Sequence, residues 1–176
     1  MRRTLLLAAL VVLGAVLVLV VQAPVRPTGP ESVRGHRVLG VAASVVRGID
    51  AVLEGRRFSS RRGPSGWEID GQPASRETSE ALDDLLQALV DLRAVDVFRP
   101  RDAASYGLDS PRATLEVATG RGVRRLVIGA ANAAGSAFYA RREGSPRVVE
   151  VGTLLLSEIE RVFFTRDGPQ PATSGQ

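Results

Sequence analysis

The stretch Ser75-Arg76-Glu77-Thr78-Ser79-Glu80-Ala81-Leu82-Asp83-Asp84-Leu85-Leu86-Gln87-Ala88-Leu89-Val90-Asp91-Leu92 decides the fold. Leu82, Leu85, Leu86, Leu89 and Leu92 recur at the helical period, so they share one face and the acidic residues take the other. Ser75 or Thr78 can accept a hydrogen bond from the free N–H groups of the first turn. Glu77 and Glu80 fall where the helix dipole favours negative charge, and Arg93 where it favours positive charge. A helix with one apolar face needs something flat and apolar to lie on.

The sequence on either side supplies that surface. Upstream, residues 48–54 read as a strand, Gly55-Arg56 as a turn into a second strand around Phe58, and Gly63-Pro64-Ser65-Gly66 as another turn. Trp67-Glu68-Ile69-Asp70 alternates, which aims Trp67 and Ile69 at the core, and Gly71-Gln72-Pro73 breaks the chain before the helix. Downstream, residues 95–98 form a short strand stopped by Pro100. Tyr106-Gly107-Leu108-Asp109-Ser110-Pro111 makes a compact bend, with Gly107 at positive φ. Ala113-Thr114-Leu115-Glu116-Val117 alternates, Thr119-Gly120-Arg121-Gly122 turns, and residues 123–128 return. Residues 129–136 read as a small-residue loop. A hairpin over 137–141 and 147–151 follows, and Leu154, Leu155, Ile159, Val162 and Phe163 predict a closing helix. Consecutive antiparallel strands with one main crossover helix give an α+β fold. The long helix is expected to pack on a sheet that includes Trp67, Leu115, Val117 and Val127.

The N-terminus has another character. Arg2 and Arg3 precede an uncharged run from Thr4 to Val21, close to the ~20 apolar residues that span a bilayer. A cleaved signal peptide is the alternative, since Val21-Gln22-Ala23 resembles a cleavage site; Pro24 at the first mature position argues for a retained anchor. With no cysteine, a lipid anchor is excluded. The expected organisation is an anchor over 1–22, a Pro/Gly spacer over 23–37, an α+β domain over 38–166 and a disordered tail over 167–176. The positive N-terminus favours a single pass of a bacterial inner membrane, with the domain outside the cytoplasm.

All 23 basic residues are arginine, against 19 acidic residues, for a net charge of +4. The doublets Arg56-Arg57, Arg61-Arg62, Arg124-Arg125 and Arg141-Arg142 read first as solvated faces, and second as contacts for anionic headgroups or an acidic partner. Only 5% of residues are aromatic, and no groove-reading helix stands beside the charge, which argues against a nucleic-acid module.

Catalytic groups are sparse. His36, the one histidine, lies beside the spacer and reads as solvated; with no cysteine, the common zinc sites are not expected. Asp83-Asp84 sits opposite the leucine stripe, and adjacent helix positions do not face each other. Neither that pair nor Asp102 and Asp109 makes a carboxylate site. Gly120-Arg121-Gly122 is a hairpin turn and no phosphate loop, and no serine has a nucleophile-elbow context. No cofactor is expected. Trp67, Tyr106 and Tyr139 remain as a candidate interaction surface, able to stack on a sugar or hold a peptide. The competing reading puts Trp67 in the core and Tyr106 in the packing of the bend, its hydroxyl capping a backbone group.

Three signals recur in order: the Trp67 strand before a turn and a Leu-rich helix, then Tyr106-Gly107-Leu108 with Pro111, then Leu126-Val127-Ile128-Gly129 with Tyr139 beyond. This pattern resembles the bacterial domain-of-unknown-function 4340 family over about residues 48–164. The resemblance implies one N-terminal transmembrane helix, an extracytoplasmic α+β domain and, for some members, a link to envelope ABC-transporter systems of the gliding-motility type. It implies no catalytic residues. The expected function is therefore that of a non-enzymatic, membrane-anchored envelope protein serving as an interaction or assembly module, with envelope or ABC-transporter proteins as partners. A domain binding glycan or cell-wall material is the alternative.

Overall fold

The structure, a computed structural model, describes residues 35–100 and 102–167. The expected anchor over 1–22, the spacer up to residue 34 and tail residues 168–176 lie outside the described residues.

Among the described residues, nine strands form one antiparallel sheet, and two helices lie against it. The first four strands are β1 (Val46–Leu53), β2 (Arg56–Gly63), β3 (Gly66–Ile69) and β4 (Gln72–Pro73). They meander outward because their turns demand it. Glu54 and Gly55 have φ of 49° and 84°, and Asp70 and Gly71 have 50° and 81°. Positive φ at both central residues marks the two-residue turn whose twist matches that of antiparallel strands. Asp70-Gly71 is thus a hairpin turn, and Gln72 and Pro73, expected in a break, pair with Ile69 and Glu68.

Helix α1 (Arg76–Asp91) then crosses from this edge to the other, where β5 (Asp96–Phe98) pairs with the last strand. Ser75 caps α1, its side chain accepting a hydrogen bond from the Thr78 N–H at 3.1 Å. The helix ends at Asp91, so Arg93 does not serve its last turn; the Arg93 guanidinium donates to the Gly35 carbonyl at 2.7 Å. Gly35 and Val38 also donate backbone hydrogen bonds to Ala94 and Leu92, which lays the end of the expected spacer along the chain leaving α1.

From β5 the chain returns over residues 99–112 to the sheet centre, where β6 (Ala113–Thr119) pairs with β1. Then β7 (Gly122–Ala131), β8 (Ala137–Arg142) and β9 (Val148–Gly152) meander back to β5, and α2 (Leu154–Asp167) closes the chain. The order is β4-β3-β2-β1-β6-β7-β8-β9-β5. Two meander-plus-helix units thus meet at the β1–β6 seam. Residues 129–131, expected in a loop, extend β7, with a register shift before Ala131. Asp167, expected in the tail, is the last residue of α2 and pairs with Arg56.

One face of the sheet carries both helices. Ile49, Ala51, Phe58, Leu115, Val117, Leu126 and Ile128 point that way and are buried, as are Leu82, Leu85, Leu86 and Leu89 of α1. Phe58 meets Phe163 of α2 edge-on at 5.1 Å. Val127 does not join this core. It alternates with Leu126 and Ile128 and pairs with Thr114, which puts it on the other face. Leu154 is 65% exposed, and Leu156 takes the core position expected of it.

Candidate functional site

The three aromatic candidates fall on opposite sides of the sheet. Trp67 is 5% exposed on the helix-covered face. Its indole N–H donates to Asp83 Oδ1 at 2.9 Å, and the Arg62 guanidinium lies 5.1 Å from the ring centre. With its indole N–H satisfied by Asp83 of α1, a side chain this buried presents little surface to a ligand. Asp83 therefore has a structural role on the helix flank, while Asp84 pairs with Arg161 of α2 at 2.5 Å.

Tyr106 and Tyr139 do come together, with a third ring that sequence reasoning missed. Their ring centres are 4.8 Å apart at 79°. Phe98 lies 5.2 Å from Tyr106 and 6.0 Å from Tyr139. All three rings are half-buried, and Val148, opposite Phe98 on β9, is fully buried. Register builds this group. Phe98 opposes Val148 across β5 and β9, and Tyr139 opposes Glu150 one step along. The signal for Phe98 was its place at the end of a short strand before Pro100, but which strand it would join was not local information.

The bend that brings Tyr106 here is tightly made. Asp102 accepts from the Ala104 N–H at 3.1 Å and from the Ser105 hydroxyl at 2.9 Å. These donors hold its carboxyl below the usual range. Gly107 has φ of 68°, as its sequence context required. A Cβ at Gly107 would stand 2.8 Å from the Ala130 nitrogen, and one at Gly129 would stand 2.2 Å from the Tyr106 carbonyl oxygen. Two glycines, one on the bend and one on β7, thus let the 99–112 crossover lie directly on the sheet. The aromatic group is the small core that fastens it. The rings use their faces and edges on one another, which leaves no open platform of the kind a sugar would stack on. Among the described residues neither tyrosine hydroxyl has a hydrogen-bond partner, so the expected backbone cap by Tyr106 is not made.

The rest of this face, over β2, β1, β6 and β7, has no layer above it among the described residues. A half-buried strip, Val52-Thr114-Val127, crosses it in register. Beside it runs a polar row, Ser59-Asp50-Glu116-Arg125. Asp50 and Glu116 are direct cross-strand neighbours of like charge, and each is neutralised from an outer strand. Arg61 and Ser59 donate to Asp50 Oδ1 at 2.6 and 2.7 Å, and Arg125 Nε donates to Glu116 Oε1 at 2.8 Å. Burial raises the Asp50 pKa, but the hydrogen bonds from Arg61 and Ser59 with the Arg61 charge outweigh it and hold the carboxyl below its usual range. This is a mixed-charge surface whose side chains are tied to one another.

His36 is exposed, and its carbonyl accepts from the Ala94 N–H at 3.1 Å. Among the described residues no three His, Cys, Asp or Glu side chains are placed to share a metal ion, and no helix is long and apolar enough to cross a membrane. The 4–21 segment lies outside them. A family model described as Domain of unknown function (DUF4340) matches residues 17–111 and 98–164. No curated protein and no solved structure matches the chain.

Proposed function

The chain belongs to the DUF4340 family of domains of unknown function, and on that premise we propose that it is a membrane-anchored envelope protein acting as a non-enzymatic interaction module. Its anchor is the 4–21 run behind Arg2 and Arg3, retained because Pro24 blocks cleavage after Ala23. Its domain stands outside the cytoplasm of a bacterial inner membrane, and its partner is an envelope protein of an ABC-transporter system. The observation that carries the interaction role is the sheet face over β2, β1, β6 and β7. It presents the Val52-Thr114-Val127 strip inside a set of fixed ion pairs. An apolar strip with a charged rim is the anatomy of a protein interface of modest size.

Two measurements test the two halves of this reading. Resistance of the full chain to carbonate extraction, with an N-terminus upstream of Pro24, is expected of a retained anchor; a mature protein starting at Pro24 or beyond overturns it. Photo-crosslinkers placed at Val52 and Val127 in the living cell are expected to capture an integral membrane protein, and one at exposed Gln87 on α1 is not. Adducts to cell-wall fragments instead would favour the glycan-binding alternative, and no adduct at either position would remove this face from the proposal.

A further inference from the structure

Most of the arginines without an acidic partner among the described residues lie toward one end of the strands. At one end of the sheet lie the start of β1, the β6–β7 turn, the β8–β9 turn and the end of β5. Register fixes their common level: Val46 pairs with Thr119, Thr119 with Gly122, Leu126 with Arg142, and Phe98 with Val148. Arg47, Arg99, Arg121, Arg124, Arg142 and Arg147 all belong to this end, and none has an acidic partner among the described residues. Three other arginines toward this end are paired: Arg125 is shared between Glu116 and Glu143, Arg61 meets Asp50 at 2.6 Å, and Arg62 meets Asp83 at 3.2 Å. Toward the opposite end three arginines have acidic partners, while Arg57 has none among the described residues and Arg93 donates to the Gly35 carbonyl. Arg56 pairs with Asp167, Arg112 with Glu54 at 3.1 Å, and Arg166 with Asp70 at 3.2 Å.

The two hairpin tips at the basic end flank a shallow cleft of about 290 Å³, lined by Arg121, Arg124, Arg125, Arg142, Glu143 and Val123. Val123 is 59% exposed, and Val45 on the approach to β1 is 47% exposed. Free guanidinium groups with a few apolar side chains among them suit the boundary layer of a bilayer, where phosphates are dense and apolar groups find partial cover. A nucleic acid would ask for exposed stacking rings here. Trp67 is buried, and Phe98 is taken up by the two tyrosines.

We infer that the basic end, formed by the β6–β7 and β8–β9 tips with Arg47 and Arg99, docks on the phosphate headgroups of an anionic bilayer. The inference rests on the reading above that the protein lives at a membrane, and it adds an orientation: the strands stand end-on to the lipid, and the Val52-Thr114-Val127 face is left open sideways to a partner.

The chain has no cysteine, so single labels are clean. The full chain would carry a fluorophore at Gly120→Cys, where a Cβ meets open space, or at Ala134→Cys in the exposed loop at the other end. It is added to vesicles of neutral lipid, or of neutral lipid with roughly a third anionic lipid, each containing a headgroup-nitroxide quencher. Flotation with the neutral vesicles reports the anchor alone. Quenching at position 120 is expected to be several-fold greater in anionic than in neutral vesicles, with little change at position 134. It should fall to the neutral level at about 0.5 M salt, where screening is nearly complete. It should fall equally in Arg121→Gln/Arg124→Gln/Arg142→Gln, whose changes lie outside the core. Equal quenching at both positions, or no loss in the triple variant, overturns the inference while leaving the anchor intact. Flotation only with anionic vesicles overturns the anchor and keeps the inference. Release by millimolar inorganic phosphate at constant ionic strength would mark a discrete anion site and overturn a bilayer surface as the ligand, as would displacement by duplex DNA in preference to vesicles.

Discussion

At Gly107 two demands meet on one backbone position. Its φ of 68° excludes most side chains on torsional grounds, and its closeness to Ala130 excludes a Cβ on spatial grounds. Gly135 shares the first demand, with φ of 67°, but has open space around it. A side chain at either site pays about 1–2 kcal/mol for the left-handed backbone. Gly107→Val should therefore destabilise the domain more than Gly135→Val in denaturant unfolding, by the clash alone. Equal losses would mean that the bend lifts off the sheet at no cost. Gly129→Ala tests the same contact from the other side, because its penalty is purely steric. Asp50 gives a pH-dependent counterpart. Its folded-state carboxyl titrates below the ordinary value of about 3.9, so its contribution is present above that pH and is lost as pH falls through the lower, folded value. Wild type should exceed Asp50→Asn in stability at neutral pH, and the gap should close on acidification below about pH 4. A gap that stays constant to low pH would show that the Arg61–Asp50 pair does not couple to folding.

At the scale of elements, α1 is the piece whose sequence and structure agree most closely. The leucines at 82, 85, 86 and 89 are all nearly inaccessible, and Ser75 caps the first turn. Leu86→Ala should cost about 2–5 kcal/mol by the loss of buried methyl groups and the cavity left behind. Ser75→Ala should cost about 0.5–2 kcal/mol through the unmet N–H of Thr78. A near-zero change for Leu86→Ala on urea unfolding would show that this face is not core. The hairpins were legible for the same local reason: Gly55, Gly63-Pro64 and Gly120 mark turns that short-range sterics enforce. Two elements were read short. The strand β4 was hidden because Gly71-Gln72-Pro73 reads as a break, though the Asp70-Gly71 pair between extended residues is a hairpin signal. Residues 129–131 look like a loop by composition, yet they pair in β7 because their small size admits the crossover above them.

The described domain is two meander-plus-helix units joined at the β1–β6 seam, with α1 carrying the chain from one edge to the other. That crossing strands β5 far from β6, and residues 99–112 must return over the sheet's second face. The cluster of Phe98, Tyr106 and Tyr139 is what holds this return in place. Its aromatic contacts are worth about 0.5–1.5 kcal/mol per pair beyond the area they bury. Phe98→Ala should therefore loosen the crossover first. Amide exchange over residues 102–108 is expected to accelerate while the amides of α1 and β6 keep their protection, as befits a unit that opens below the global free energy. Uniform acceleration throughout the domain would make the cluster part of the main core, and no acceleration at all would make it ornamental.

What the sequence determined by itself was everything set by neighbours a few residues apart. The leucine period of α1, the alternation that aims Trp67 and Ile69 inward, the positive φ of Gly107 and the α+β class all follow from local sterics and from which side chains avoid water. The tertiary structure alone decided which strands are edges, where α1 delivers the chain and which aromatic residues meet. Tyr106 and Tyr139 were visible as aromatic residues, but their meeting with Phe98 depends on β5 pairing with β9, a contact made across about fifty residues of chain. Of the two readings open for Trp67, core or surface, the helix packed over it decides for the core. Val127 looked like core until the register placed Leu126 and Ile128 there instead. A strand's pattern defines two faces without saying which of them the rest of the chain will cover, and only the completed packing breaks that symmetry.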